Sequence, residues 1–295
     1  MEQKYKPLTL AIIIPVYNEE RHIVQCLNSI AAQTVKPEQV IVVDNNCRDR
    51  TVELAKKFDF VTVISEPKQG RTHARNAGFG VATTDIVGRI DADSILHKDW
   101  AANVKKHFET DPTLGGLTGL GYSSPLPFVR HPKTSLWSRA YYWFAHAAFR
   151  TQTMWGATMA ITKTAWLATK NETCDDDNKV HEDQDLSLVM ASQGAKIIEA
   201  HDAVIDIDGQ TYRFFPKFWR YAKMYISTYN LHRKKGTFRS PAYPKMSFFQ
   251  VLPGLLLIIP LGLVGIIVFS LLLFPIDWLM IKIIGAKEWL GNQDN

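Results

Sequence analysis

The chain has 295 residues, 46% of them hydrophobic, with 34 lysines and arginines against 29 acids for a formal net charge of +5. This length and apolar content exclude an intrinsically disordered chain and fit one large domain, or a domain with an appendage, with a mild preference for anionic partners. Cys26, Cys47 and Cys174 are odd in number and widely spaced, which fits a reducing compartment better than a disulfide framework.

Met1 to Lys6 is charged and the first apolar run ends at Pro15, so no secretory leader is expected. Leu8 to Val16 (LTLAIIIPV) predicts a strand covered on both faces. Tyr17-Asn18-Glu19-Glu20 reads as a loop entering a helix to about Gln33, with Asn18 as the expected N-cap and Ile23, Cys26, Leu27 and Ile30 at helical spacing. Val40 to Asp44 predicts a second buried strand that ends on a carboxylate, followed by a polar loop and a helix from Thr51 to Lys57. Val61 to Ser65 predicts a third strand and Gly70 to Ala82 a helix. Ile86 to Ile90 then predicts a fourth strand, running directly into Asp91 and Asp93. Alternating strands and helices predict an α/β fold with a Rossmann-like, doubly wound, mostly parallel sheet.

In such sheets ligands gather beyond the carboxyl ends of the strands. Taken alone, Asp91-Ala92-Asp93 reads as an Asp-rich turn. With Glu19 and Asp44 at neighbouring strand ends, it reads instead as part of one acidic crevice suited to a hard divalent cation, Mg²⁺ or Mn²⁺. The stretch from Lys68 to Asn76 adds cations and a helix N-terminus, a natural seat for phosphate oxygens. Acids for a metal and a ribose beside bases for a diphosphate predict a nucleoside-diphosphate ligand.

IIIPVYNEE, VVDNNCRDRT, KQGRTHARNAG and RIDADS, followed by WGATMAIT at Trp155 to Thr162 and HEDQDLSLVMASQG at His181 to Gly194, together resemble a family-2 glycosyltransferase with the GT-A fold. The resemblance runs from about Leu8 to Arg213. It implies that Pro15, Tyr17, Glu19 and Asp44 surround the nucleobase and ribose. Arg71 and Arg75 would flank the diphosphate or hold the acids in place. Asp91 would contact ribose or metal-bound water, Asp93 would ligate the metal, and both are candidate metal ligands. Asp183 would be the general base of an inverting transfer, with Glu182 orienting it or the acceptor. Trp155, Gly156 and Ala157 would face the acceptor. Gln210 and Arg213 join that side because Gln210 to Phe214 resembles the Gln-x-x-Arg-Trp stretch of processive synthases, with Phe214 in place of Trp. Where many relatives carry a second Asp after Asp44, this chain has Asn45. The run Asp175-Asp176-Asp177 is expected to be a solvated loop, and Asp185 to face water or cap a helix. His73, His181 and His201 are read as structural residues.

Val251 to Ile276 has no charged side chain over 26 residues, long enough to cross a bilayer once or to turn back as a hairpin. Arg233, Lys234, Lys235, Arg239 and Lys245 precede it and only Lys282 and Lys287 follow, a bias that predicts a membrane protein with its long N-terminal part in the cytosol. Phe214, Phe218, Tyr221 and Tyr225 at helical spacing beside Arg213, Lys217 and Arg220 predict either an interfacial helix or ordinary packing onto the catalytic domain, whereas Trp137, Tyr141 and Phe144 read as core packing. The expected organisation is a catalytic domain at 1–212, basic and aromatic interfacial helices at 213–247, a hydrophobic segment at 248–285 and a tail at 286–295. The expected function is a single transfer from a nucleotide-sugar, UDP-sugar favoured, to a lipid-linked or glycan acceptor. The alternatives are a processive synthase, or a non-catalytic membrane scaffold that retains a nucleotide-binding domain. Nucleic acid is not an expected partner, because the basic residues cluster beside the apolar segment.

Overall fold

A computed structural model of the protein describes residues 7–122, 142, 145, 146, 148–207 and 214–245, without the side chains of 214–219, 221 and 222. Trp137, Tyr141, Phe144, Gln210, Arg213 and the expected membrane segment at 248–285 lie outside the described residues, as do the side chains of Phe214, Phe218 and Tyr221. The described residues all belong to one compact unit that ends at Lys245. Among the described residues, no helix is long and apolar enough to cross a membrane.

Eight strands form one sheet: β1 (Leu10–Val16), β2 (Gln39–Asp44), β3 (Val61–Ser65), β4 (Ile86–Ile90), β5 (Ser94–Leu96), β6 (Leu114–Tyr122), β7 (Thr158–Thr162) and β8 (Lys196–Ile207), in the order β3-β2-β1-β4-β7-β6-β8-β5. The first half is parallel, as the βαβ pattern predicts, with Val16 beside Asp44 and Ile13 beside Arg89. The second half corrects the expectation of a mostly parallel sheet. Strand β7 runs antiparallel to both β4 and β6, and β5 runs antiparallel to β8, while β6 and β8 are parallel. Because β7 runs backwards, its leading loop, Trp155 to Ala157, arrives at the edge where β4 ends, with Thr158 opposite Ile90.

Strand β1 has no polar face because both of its faces are covered. Leu10, Ile12, Ile14 and Val16 pack with α1 (Ile23–Ala31), α2 (Thr51–Ala55) and α4 (Trp100–Thr110), through Ile23, Leu27, Ile30, Ala55, Trp100 and Val104. Ala11 and Ile13 pack on the other face with α3 (Arg71–Val81), α5 (Lys163–Thr169) and α6 (Glu182–Ser192), through Ala74, Phe79, Trp166, Leu186 and Met190. Each fully buried Leu, Ile, Val, Met or Phe side chain among them contributes about 1.5–3 kcal/mol. Gly78 is where α3 crosses the sheet: a Cβ there would run into the side chains of Ile13 and Val43. Helix α6 is buried almost all round, because α7 (Phe214–Lys235) and the chain after it cover its outer side. There Leu188 and Ala191 pack with Phe149, Tyr225, Phe238 and Tyr243.

Candidate active site at the carboxyl edge of the sheet

Parallel β1, β2, β3 and β4 release their chains at one edge, so Tyr17, Glu19, Asp44, the Glu66–Gly70 loop, Asp91 and Asp93 all lie along it. Tyr17 is half exposed. Asn18 does not cap α1. It sits at φ 57°, and its Oδ1 accepts from the Arg48 N–H at 2.8 Å, which ties the β1 loop to the β2 loop. The turn into α1 starts from the Glu19 carbonyl instead, which accepts from His22 and Ile23. One oxygen of Asp44 accepts from the Cys47 N–H at 2.8 Å.

Asn45 is structural, and its amide explains why an Asp does not serve here. Its Nδ2 donates to the carbonyls of Glu66 and Lys68, both at 2.8 Å, while its Oδ1 accepts from Gly70 N–H at 2.8 Å. A carboxylate cannot donate to two carbonyls.

Three carboxylates crowd one place. Burial, then the charges of Asp91 and Glu19, push the Asp93 carboxyl up to about 7. Burial and the same group of acids, led by Asp93, push the neighbouring Cys26 thiol up as well. Glu19 has a partner in His22, 2.9 Å away at Nδ1, and Asp91 has one in Arg89. Among the described residues no group of three or more His, Cys, Asp or Glu side chains is set as a complete metal cage. The donor set nevertheless fits Mg²⁺ or Mn²⁺, which take one or two carboxylates and complete their shell with water and substrate phosphates. Excess negative charge at Asp93 is what a cation would neutralise.

The acids of the sheet edge connect to α6 through a chain of charge that runs into the interior. Arg89, next to the last residue of β4, gives Nη2 to Asp91 Oδ1 at 2.7 Å and Nη1 to Glu182 Oε1. Arg75, on α3, gives Nη1 to the other oxygen of Glu182 and also to its carbonyl at 2.9 Å. Glu182, Arg75 and Arg89 are all buried. Burial pushes the Glu182 carboxyl up, but the guanidinium groups of Arg89, Arg75 and Arg71 outweigh it and hold the acid at about 2. Burial pushes Arg89 down, and the charges of Glu182, Asp91 and Asp183 more than reverse that.

This placement chooses between the alternatives expected for two residues. Arg75 lies in the interior, 1% exposed, and does not line the crevice as a donor-binding residue; it holds the acid. Glu182 is likewise closed off from an acceptor by its two arginines. Arg71 is exposed at the start of α3, where its charge reaches Glu182. None of the sequence motifs singles out Arg89. Its signal was present: an arginine inside an apolar strand needs a buried carboxylate, and residues two apart on a strand face the same side.

Of the acids in the first turn of α6, Asp183 is the one that is half exposed; Glu182 and Asp185 are buried. Asp183 Oδ2 accepts from the Gly156 N–H at 2.9 Å, and Oδ1 accepts from Gln184 N–H at 2.8 Å. A Cβ at Gly156 would run into the Arg89 guanidinium, so glycine permits the loop before β7 to close over that arginine. Trp155 is half buried, its N–H 3.0 Å from Thr118 Oγ1. Ala157 does not face an acceptor: it is buried in the core beneath Trp155.

Two further acids differ from expectation. Asp177 is not solvated. It accepts from the N–H groups of Arg71 and Thr72 and from the Thr72 hydroxyl, so the chain's own carboxylate takes the α3 N-terminus that the sequence offered to a phosphate. Asp175 stays exposed beside Lys68, and Asp176 pairs with Lys179. Asp185 neither faces water nor ends a helix; it is fully buried against His232.

A model of Glycosyl transferase family 2 matches residues 11–166. The chain belongs to this family. Among its relatives, the glycosyltransferase AglE of Haloferax volcanii is 36% identical over 98 residues, 31% of this chain and 32% of that protein. The poly-beta-1,6-N-acetyl-D-glucosamine synthase of Staphylococcus aureus is 30% identical over 114 residues, 37% of this chain and 28% of that protein. The matched part thus spans about a third or less of these relatives. The fold is similar to that of the mannosyltransferase PcManGT of Pyrobaculum calidifontis, solved with GDP-Man and Mn²⁺, with a TM-score of 0.55 at 22% identity over 86% of this chain and 76% of that one. It is also similar to S. aureus TarS with UDP-GlcNAc, with a TM-score of 0.53 at 19% identity over 68% and 58%. Both likenesses support the GT-A-like mixed sheet. The family match ends before α6, so the link from Asp183 to the sheet edge rests on the geometry around Arg89, Glu182 and Gly156.

Proposed function

We propose that this family-2 glycosyltransferase is a membrane-anchored, metal-dependent, inverting enzyme. It moves one sugar from a nucleoside-diphosphate sugar, UDP-sugar favoured, to a hydroxyl or phosphate of a lipid-linked or glycan acceptor. The observation that carries the reading is the link Asp91–Arg89–Glu182, buried at Arg89 and Glu182, which holds the half-exposed Asp183 at a fixed place relative to the acids of the sheet edge.

Tyr17, Glu19 and the second oxygen of Asp44 present groups to a nucleoside at the ends of β1 and β2. Asp93 and Asp91 would hold Mg²⁺ or Mn²⁺, which supplies countercharge for the departing diphosphate. Arg71 adds a cation at the same edge. Asp183 takes the proton of the attacking hydroxyl: it is ionisable, reachable, and oriented by two backbone N–H groups. One base acting on the face opposite the leaving group gives inversion. Arg75 and Arg89 stay buried and keep Glu182 ionised beneath the base.

Anchoring rests on the uncharged segment from Val251 to Ile276 and on α7, where Ile226 and Tyr229 are exposed among Arg220, Lys223, Arg233, Lys234 and Lys235, also exposed. An exposed apolar and basic face suits an anionic bilayer surface; the catalytic domain would then lie on the cytosolic side, at the cell membrane. The likeness to a poly-N-acetylglucosamine synthase favours processive synthesis as the second reading.

Calorimetry of the purified protein with UDP-, GDP- and CMP-sugars in Mn²⁺, followed by transfer assays with and without membrane lipid extract, tests the proposal. It predicts Mn²⁺-dependent binding of one nucleotide class and a product bearing one added sugar on a lipid. Transfer to soluble sugars with no gain from lipid removes the lipid acceptor. A product ladder favours the processive reading, and no nucleotide binding at all refutes the enzyme.

A further inference from the structure

Helix α7 touches the base helix α6 at two matched points. Thr228 Oγ1 accepts from the His181 N–H at 3.0 Å, and its own hydroxyl donates back to the Met224 carbonyl at 2.8 Å. One turn further along α7, His232 Nε2 lies 2.9 Å from Asp185 Oδ1, and His232 Nδ1 lies 2.9 Å from Thr237 Oγ1. Thr228, His232 and Asp185 are fully buried. The other oxygen of Asp185 accepts from the Cys174 N–H at 2.7 Å, so this carboxylate also fixes the loop that leads into α6.

The spacing is what makes the contact specific. Residues four apart share a helix face, and Thr228 with His232 on α7 meet His181, the residue that starts α6, and Asp185 one turn into it. The two tied positions bracket Glu182 and Asp183. A buried carboxylate oxygen accepts only, so Nε2 carries the proton and donates to Asp185, while Thr237 fixes the other ring nitrogen. Neither contact reaches the crevice.

We propose that Thr228 and His232 are positioning residues for Asp183: by clamping the first turn of α6 from behind, they keep the Asp183 carboxylate on the Gly156 N–H and aimed at the crevice. The role of Asp183 as base belongs to the proposed function, on which this inference rests. Helix α7 is then part of the catalytic apparatus as well as a surface that faces the membrane.

The test compares His232→Leu, which removes the donor, with His232→Gln, which restores an N–H near the same place, and Thr228→Val with Thr228→Ser. Three quantities are read: turnover, affinity for UDP or GDP with Mn²⁺ by calorimetry, and hydrogen exchange at the Gly156 amide. The expected result for His232→Leu and Thr228→Val is a fall in turnover of about tenfold or more, nucleotide affinity within about twofold, and faster exchange at Gly156. His232→Gln and Thr228→Ser should recover most of the turnover and the protection, and they keep the test open should the apolar variants fold poorly. Unchanged turnover and exchange in the apolar variants would overturn the clamp. So would nucleotide affinity and turnover falling together with no recovery in the conservative variants. If Asp183 is not the base, Asp183→Asn still turns over, and the Gly156 exchange continues to report whether the clamp exists.

Discussion

Replacing Glu182 with glutamine keeps the shape of a side chain buried between Arg75 and Arg89 and removes its charge. The structure sets the magnitude. Two guanidinium groups within hydrogen-bond reach, with Arg71 further out, hold the carboxyl at about 2 against the cost of burial. Moving a glutamate from its ordinary value near 4.3 to about 2 corresponds to roughly 3 kcal/mol at neutral pH. Breaking a buried ion pair by neutralising one partner costs about 3–5 kcal/mol, so the two routes agree. The sign follows from the lowered value: the stabilisation is fully present above about pH 4.3 and is lost as pH falls through about 2. Urea unfolding of parent and Glu182→Gln at a series of pH values should therefore show a difference of about 3 kcal/mol at pH 7 that shrinks steadily below pH 4. A difference that stays constant across that range would refute the electrostatic account and point to packing. A difference below about 1 kcal/mol at pH 7 would show that the arginines find other partners.

The same chemistry makes two smaller predictions. Asp93→Asn should weaken Mn²⁺-dependent nucleotide binding by about tenfold or more, measured by calorimetry, while raising the melting temperature of the metal-free protein at pH 8, because the crevice loses a charge that burial and its acidic neighbours disfavour. Asn45→Asp should cost about 1–3 kcal/mol in chemical denaturation, because two carbonyls lose their donor and meet a carboxylate instead.

The strands of the parallel half were legible because a strand buried on both faces leaves an unbroken apolar run, as in Ala11 to Ile14 and Val40 to Val43. Helix α3 was legible within a residue at each end, since Thr72, Ala74, Arg75, Gly78 and Phe79 form one buried face. The direction of β7 was not, because a short apolar strand pairs equally well either way and its direction is decided by the path of the chain before it. The acids at the strand ends could be gathered into one crevice from topology alone. Which charged groups turn inward could not: Arg71 and Arg75 read alike in sequence, four residues apart, yet one is exposed and the other is buried on Glu182. Asp177 and Asp185 were misread for the same reason. Their partners, Thr72 and His232, lie 105 and 47 residues away, beyond any local pattern.

The measurement that bears most directly on the central claim is the turnover of Asp183→Asn beside its affinity for the nucleotide-sugar. The carboxylate is held by the Gly156 and Gln184 N–H groups and is not one of the acids proposed to bind the donor. Its amide should therefore leave donor affinity within about twofold while lowering turnover by about 10²–10⁴-fold, the range for losing a general base. Full turnover in Asp183→Asn, or loss of donor binding in step with turnover, would contradict Asp183 as the base.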